Sequence, residues 1–210
     1  MKLKVCGMRD PDNVRELLNQ VSPDWMGLIF HPTSSRFVSD DYASFMKEIP
    51  VKKVGVFVNS SLTNILKKIE DFGLSTLQLH GNESVDEVKE IKENTGREIF
   101  KVYAVQEEIQ WSSLEPYLPH VDYFLFDTFT KAYGGSGRAF NWDLLLDYPF
   151  ETPFLLSGGI SLEHIEAIRD IHQKLPQMDG VDINSKFELE AAFKDIKSIK
   201  RFKTALEAVS

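Results

Sequence analysis

The sequence predicts an α/β protein folded as a single compact (β/α)8 TIM barrel that spans residues 1–210. Short runs rich in β-branched and aromatic residues recur eight times, each bounded by Gly, Pro, Asn, Asp or Ser. Segments with helical spacing separate them, and successive runs begin 22 to 30 residues apart. The eight predicted strands are Leu3–Cys6, Trp25–Phe30, Lys53–Val58, Thr76–His80, Ile99–Val105, Tyr123–Asp127, Pro153–Leu156 and Gly180–Ile183.

The segments between the strands begin at small polar residues that are able to cap a helix. Asp10, Ser39, Ser61 and Ser161 each precede apolar residues that repeat at helical intervals. The last helix is expected near Glu188–Ala208. Each predicted strand is thereby followed by a segment that can cover the outside of the barrel.

The fifth helical unit, Gln106–Leu118, is the weakest. Trp111, Leu114 and Leu118 give a poor helical pattern, and Pro116 interrupts it. An open doubly wound sheet is the alternative architecture, but eight strand–helix units exceed its usual number. No linker or low-complexity tract indicates a second domain.

Charge and composition narrow the class of partner. The chain has 24 Lys and Arg against 32 Asp and Glu, a net charge of −8, and no basic stripe. Nucleic acids and anionic membranes bind clustered cations, so neither is an expected partner. No segment resembles a signal peptide or a membrane span, and a lone cysteine cannot form an internal disulfide. We expect a cytoplasmic protein, and a monomer rather than a homodimer because no apolar surface helix is evident.

Alternation along the strands directs several polar side chains into one mouth of the barrel. Cys6, His80 and Asp127 end the first, fourth and sixth strands, and Asn184 follows the eighth. Residues two apart in a strand share a face, and active sites in this fold lie at the carboxyl ends of the strands. The four side chains are therefore predicted to form a site. Taken singly, each could instead be a buried core residue or a solvated polar group.

The same alternation predicts a buried ion pair. Lys4 lies two residues before Cys6 on the inward face, and Asp182 lies on strand eight, which neighbours strand one once the barrel closes. Because an unpaired charge inside a barrel is costly, we expect the two side chains to pair beneath the site. Lys4 would also lower the pKa of Cys6. The alternative is a Lys4 that reaches solvent at the lower mouth.

The loops after the last two strands are predicted to bind an anion. Gly158 and Gly159 follow strand seven and open a helix, so exposed backbone N–H groups are available for a phosphate. Asn184, Ser185 and Lys186 follow strand eight and add side-chain donors and a positive charge. These two loops form the usual phosphate site of the fold.

Two other loops contain candidate ligand-binding residues. The loop after strand six contains Gly134, Gly135, Ser136 and Gly137, which is typical of a mobile lid or of a plain flexible loop. After strand two, Arg36 could bind a carboxylate through two hydrogen bonds, although a lone arginine is more often a surface residue.

Seven short motifs follow one another from the first strand to the seventh. They are Lys4–Gly7, Gly27–Pro32 with Ser35 and Arg36, Val54–Asn59, Gln78–Gly81, Phe126–Thr128, Gly134–Gly137 and Leu156–Gly159. In this order the chain resembles the phosphoribosylanthranilate isomerases of tryptophan biosynthesis. The resemblance implies an Amadori rearrangement of N-(5-phosphoribosyl)anthranilate to 1-(2-carboxyphenylamino)-1-deoxyribulose 5-phosphate, with no metal or redox cofactor.

The resemblance also implies roles for individual residues. Asp127 would be the general acid that protonates the ring oxygen, and Cys6 the general base that removes the C2′ proton. Arg36 would bind the anthranilate carboxylate, while Gly158–Gly159 and Ser185 would bind the phosphate. The pKa of Cys6 should then be lowered and that of Asp127 raised.

Two departures from the family pattern and two alternative functions remain. Lys186 stands where a glycine is common, and Asn141 stands where an aspartate is usual. A related isomerase of histidine biosynthesis shares the fold and the reaction type, but it uses an aspartate in place of Cys6 and shows a half-barrel repeat. A non-catalytic binding barrel would be expected to lack Cys6 or Asp127, and both are present.

Overall fold

The computed structural model describes residues 1–128 and 140–208, and it confirms the closed barrel. Within these residues, eight parallel strands pair in sequence order, and β8 pairs with β1 to close the sheet. Each strand begins and ends within two residues of its predicted bounds. The strands are β1 Lys2–Val5, β2 Trp25–Ile29, β3 Lys52–Phe57, β4 Thr76–Leu79, β5 Glu98–Val105, β6 Tyr123–Thr128, β7 Phe154–Leu156 and β8 Met178–Ile183.

Helices cover the outside of the barrel. The side chains of Asp10 and Ser61 cap the first and third by accepting N–H bonds from the first turn. The same expectation was wrong for Ser39, whose hydroxyl donates to Asp41 and makes no bond to a first-turn N–H. The helices are α1 Pro11–Gln20, α2 Ala43–Glu48, α3 Leu62–Phe72, α4 Val85–Thr95, α5 Ile165–Lys174 and α6 Ile196–Glu207. No helix among the described residues is long and apolar enough to span a membrane.

The fifth unit is weakly helical, as predicted. Only 3₁₀ turns, Trp111–Ser113 and Glu115–His120, follow β5. Pro116 and Pro119 lie in the second turn and have no N–H to donate, so a longer helix cannot form there. Within the part of the sixth unit that is described, a 3₁₀ turn at Trp142–Leu145 takes the place of an α-helix.

The predicted last helix, Glu188–Ala208, was wrong in its first half. Its start forms an antiparallel pair of short strands, β9 Glu188–Glu190 and β10 Phe193–Lys194, and α6 begins only at Ile196. Glu, Leu and Ala favour a helix in this segment, but tertiary contacts override that preference. The side chain of Asn13 on α1 accepts from the Lys194 N–H and donates to its carbonyl, which ties β10 to the first helix.

Alternation along the strands separates two apolar cores. Trp25, Phe100 and Leu125 lie in the smaller core inside the barrel, where the rings of Trp25 and Phe100 are 5.4 Å apart. Phe124 and Phe126, on the opposite face of β6, pack in the larger core between sheet and helices. Bulky rings therefore fill the lower barrel, and the polar side chains lie above them at the carboxyl ends.

Candidate active site

A cavity of about 310 Å³ lies at the carboxyl ends of the strands. All of the predicted site residues within the described part line it, namely Cys6, Arg36, His80, Asp127, Gly158, Gly159, Asn184 and Ser185. The predicted lid residues Gly134, Gly135, Ser136 and Gly137 lie outside the described residues. The structure therefore brings these predicted residues together in one cavity, and it shows how each side chain is held.

Barrel closure fixes the position of Cys6. Its N–H donates to the Ile183 carbonyl on β8 at 2.9 Å, and its side chain faces the cavity. On the other side, β2 contributes Gly27, where a Cβ atom would lie only 2.7 Å from the thiol sulfur. A glycine at this position therefore makes the room in which the thiol packs.

The pKa of Cys6 differs from the expectation. Burial raises the pKa of the thiol, and this effect outweighs the Lys4 and Lys194 ammonium groups, which lower it. The predicted net lowering was therefore wrong, because a buried thiol loses the water that would stabilise its thiolate. The two ammonium groups are still the charges that favour a thiolate at this position.

Lys4 and Asp182 form the predicted ion pair beneath the thiol. They are register partners on β1 and β8, and the Lys4 Nζ lies 2.8 Å from Asp182 Oδ2. The exposed fractions of their side chains are 0% and 5%, so the alternative of a solvated Lys4 is excluded. This pair places one positive and one negative charge directly under the cavity.

The carboxyl group of Asp127 titrates near neutral pH. Burial and the nearby Asp182 carboxylate raise the pKa of Asp127 to about 7, as its expected role requires. Its Oδ1 accepts the Thr128 N–H at 2.8 Å, which fixes the orientation of the group. A carboxyl with this pKa can hold a proton and release it at physiological pH.

His80 is neutral. Burial, followed by the Lys4 and Lys101 ammonium groups, lowers the pKa of His80 to about 3. Gln78 Nε2 lies 3.3 Å from His80 Nδ1, and Nδ1 accepts this hydrogen bond in the tautomer that carries its proton on Nε2. His80 Nε2 faces Asp127 Oδ2 at 3.6 Å. In that tautomer, His80 presents a neutral N–H donor beside the carboxyl group.

The loops after β7 and β8 also line the cavity. Gly158 and Gly159 have φ values of 88° and 66°, which glycine adopts without strain. A Cβ atom at Gly158 would lie 2.7 Å from the Thr128 nitrogen, so the backbone approaches β6 closely. Ser185 and Lys186 line the cavity from the other loop. Backbone N–H groups, a hydroxyl and an ammonium are suitable ligands for a phosphate.

Arg36 lines the cavity but is already paired with a carboxylate. Its Nε lies 2.9 Å and 3.1 Å from the two oxygens of Glu188, and its Nη2 lies 2.6 Å from Oε2. Lys194 then donates to Glu188 Oε1 and to Asn184 Oδ1, at 2.6 Å in each case. The Lys194 side chain is 0% exposed.

Sequence reasoning missed Glu188 and Lys194. Both fall in the segment around the predicted last helix, where charged residues would face solvent. The sequence did offer one indication of Glu188, since this glutamate follows Lys186 and Phe187 within reach of the barrel mouth. Gln78, which lies two residues before His80 and contacts it, was likewise given no role.

Comparison with known proteins gives a consistent result. Residues 3–205 match the model of the N-(5′-phosphoribosyl)anthranilate (PRA) isomerase family. The chain is 42% identical over 206 residues to the N-(5′-phosphoribosyl)anthranilate isomerase of Parabacteroides distasonis, an alignment that covers 96% of this chain and 91% of the relative.

Solved structures of such isomerases share the fold. The isomerase of Thermotoga maritima superposes with a TM-score of 0.83 at 30% identity, covering 99% of both chains. A second isomerase structure, in complex with reduced 1-(o-carboxyphenylamino)-1-deoxyribulose 5-phosphate, superposes with a TM-score of 0.79 at 27% identity, again covering 99% of both chains. These matches favour neither the histidine-pathway alternative nor a non-catalytic barrel.

Proposed function

Because the chain belongs to the N-(5′-phosphoribosyl)anthranilate isomerase family, we propose that Cys6 and Asp127 perform the proton transfers of its reaction. The enzyme converts N-(5-phosphoribosyl)anthranilate to 1-(2-carboxyphenylamino)-1-deoxyribulose 5-phosphate, an Amadori rearrangement in tryptophan biosynthesis. The observation that supports these roles is the shared cavity, which holds a buried thiol and a carboxyl group whose pKa is about 7.

Asp127 acts first, as the general acid. Protonated Asp127 gives its proton to the ring oxygen of the ribose, the C1′–O bond breaks, and the anthranilate nitrogen supplies the electron pair that forms an iminium ion. The raised pKa of Asp127 keeps a proton available near neutral pH. The neutral His80 N–H faces the carboxyl and stabilises the carboxylate left after the transfer.

Cys6 acts next, as the general base. The thiolate removes the C2′ proton, and the electron pair of that C–H bond neutralises the iminium to give an enolamine. Loss of the proton from the 2′ hydroxyl and protonation of C1′ then produce the aminoketose. Lys4 and Lys194 favour the thiolate, which offsets part of the cost of its burial.

The remaining residues hold the two ends of the substrate. Arg36 binds the anthranilate carboxylate through the part of its guanidinium that Glu188 does not occupy. Gly158, Gly159 and Ser185 bind the phosphate through backbone N–H groups and a hydroxyl, and Lys186, which lines the same cavity, adds a positive charge.

Asn184 adds a donor between the two ends. Its Oδ1 accepts from Lys194, so its amide group offers an N–H to a sugar hydroxyl.

Two expectations beyond the site stay predictions: a cytoplasmic location and a monomeric state.

The decisive experiment is turnover by the purified protein. Phosphoribosylanthranilate is fluorescent, and its fluorescence is lost as the enzyme consumes it. We expect first-order loss of the signal with wild-type protein and at least ~10²-fold slower loss when either Cys6 or Asp127 is replaced. Undiminished turnover in both variants would contradict the assigned roles.

A further inference from the structure

The Arg36–Glu188–Lys194 triad presents an electrostatic problem for carboxylate binding. Glu188 sits on the Nε/Nη2 edge of the Arg36 guanidinium and neutralises its charge. A guanidinium in a neutral pair attracts a second carboxylate far less than a free one does. An anionic substrate group that approached Arg36 and Glu188 alone would therefore gain little.

Lys194 supplies the missing charge. Its Nζ contacts Glu188 Oε1 at 2.6 Å, so two cations share one anion and the triad keeps one net positive charge. Among the three, only Arg36 lines the cavity, while Glu188 and Lys194 lie behind it. The net positive charge of the triad therefore acts on the cavity through the Arg36 guanidinium.

The geometry leaves part of the guanidinium free for a ligand. Arg36 has five N–H donors, and Glu188 takes the Nε–H and one Nη2–H. The two protons on Nη1 and the second proton on Nη2 form the other edge, which can bind a carboxylate through two parallel bonds. Glu188 thus fixes the rotation of the guanidinium and determines which edge meets the substrate.

The burial of Lys194 indicates that its charge does more than hold β10 in place. Desolvation lowers the pKa of Lys194 to about 8, so its ammonium is held at a free-energy cost. Its backbone is anchored separately, by the two hydrogen bonds to the Asn13 side chain. The chain could therefore hold β10 in place without a charge at this position.

We propose that Lys194 is a positioning residue that, through Glu188, gives Arg36 its selectivity for a carboxylate on the substrate. This inference rests on the proposed role of Arg36. Of the three side chains, Arg36 alone contacts the anthranilate carboxylate, and Glu188 and Lys194 act through Arg36.

The test compares two ligands that differ only in the carboxylate. The first is reduced 1-(o-carboxyphenylamino)-1-deoxyribulose 5-phosphate, and the second is its phenylamino counterpart without the carboxyl group. In Lys194→Met we expect the Kd of the first to rise at least ~10-fold and that of the second to change less than ~2-fold. Lys194→Arg, which keeps the charge, should retain most of the selectivity.

The double variant Glu188→Gln/Lys194→Met provides a rescue. It removes one anion and one cation together, so Arg36 regains a net positive charge and the affinity for the first ligand should recover by at least ~3-fold over Lys194→Met. Equal weakening for both ligands in the single and double variants would overturn the proposal.

A matched control separates this effect from the general loss of a buried lysine. Lys101 is 6% exposed and pairs with Glu83 at 2.8 Å, away from Arg36. Lys101→Met should change the Kd values of both ligands by the same factor. A carboxylate-selective loss in this control would overturn the proposal.

Arg36→Met distinguishes a failure of the proposed role of Lys194 from a failure of the proposed role of Arg36. Loss of selectivity in Arg36→Met but not in Lys194→Met would refute the role of Lys194 and leave that of Arg36 standing. No loss of selectivity in Arg36→Met would refute both.

Discussion

The ammonium of Lys4 contacts one oxygen of Asp182 at 2.8 Å, while the other oxygen, Oδ1, is buried without a hydrogen-bond partner in the described part of the chain. Only one of the two carboxylate oxygens of Asp182 is therefore hydrogen-bonded, and the negative charge of this group acts on Cys6 and Asp127 above it. It raises the pKa of both Cys6 and Asp127, whereas Lys4 lowers both. The ion pair thus sets the balance of charge under the two proposed catalytic groups.

Lys4→Met tests this balance. We expect a loss of about 3–5 kcal/mol in the free energy of unfolding, because Asp182 is left buried without its partner. The pKa of Cys6 should rise further, which the pH dependence of alkylation would show, since the chain contains one cysteine. An unchanged thiol pKa would leave the contact standing but remove its catalytic effect.

Replacing the proposed acid or base should affect the chemical step. Cys6→Ser keeps the size of the side chain but gives a far poorer base, and Asp127→Asn keeps the shape but cannot donate the proton. Each should lower kcat by at least ~10²-fold with a smaller change in KM, measured by steady-state kinetics. Near-normal turnover in Cys6→Ser would show that the thiol serves packing alone.

Asp127→Asn should also increase stability above neutral pH. The pKa of Asp127 is raised from 3.8 to about 7, so the folded protein binds a proton that the unfolded chain has lost between these values. Stability from this group is therefore present below pH 4 and lost as pH rises to 7. The advantage of Asp127→Asn should grow across this window to about 2–4 kcal/mol and then level off. Denaturant titrations at several pH values measure it, and a constant difference would contradict the raised pKa.

Arg36→Met should weaken substrate recognition. The variant keeps an apolar stem but loses the guanidinium, which we expect to cost about 2–4 kcal/mol in kcat/KM. The cost should shrink for a substrate analogue without the anthranilate carboxylate. An equal loss with both substrates would assign Arg36 a structural role.

Gly158→Ala should impair phosphate binding. Its φ is 88°, and a Cβ would lie 2.7 Å from the Thr128 nitrogen and 3.0 Å from Asp127 Oδ1, so the loop has to move. We expect KM to rise at least ~10-fold. Gly96→Ala is the control, because Gly96 also has a positive φ, 58°, but a Cβ there meets nothing within 4 Å. That variant should lose about 1 kcal/mol of stability and keep its KM.

The sequence was sufficient wherever a short physical rule determines the outcome. Alternation with a period of two located Cys6, His80 and Asp127 on one face of the barrel, and closure of the barrel then required Lys4 to meet Asp182. These inferences need only the strand assignments.

What could not be predicted depends on long-range context. The segment after Glu188 has the composition of a helix, and only contacts with Asn13 and the barrel mouth make it a pair of strands. The thiol pKa depends on a competition between burial and two ammonium groups, and the sequence reveals the charges more readily than the depth of burial. The pairing of Arg36 with Glu188 was missed because the conformation of the segment after Glu188 depends on these long-range contacts.

Barrel closure has a consequence for the order in which the protein is made. Cys6 and Lys4 are synthesised before strands β2 to β7, whereas Asp182, Glu188 and Lys194 are synthesised after them. Until β8 has been made, Lys4 and the proposed general base Cys6 lack the charged groups that surround them in the folded protein. Burial of Lys4 against its partner Asp182 therefore has to await the eighth strand.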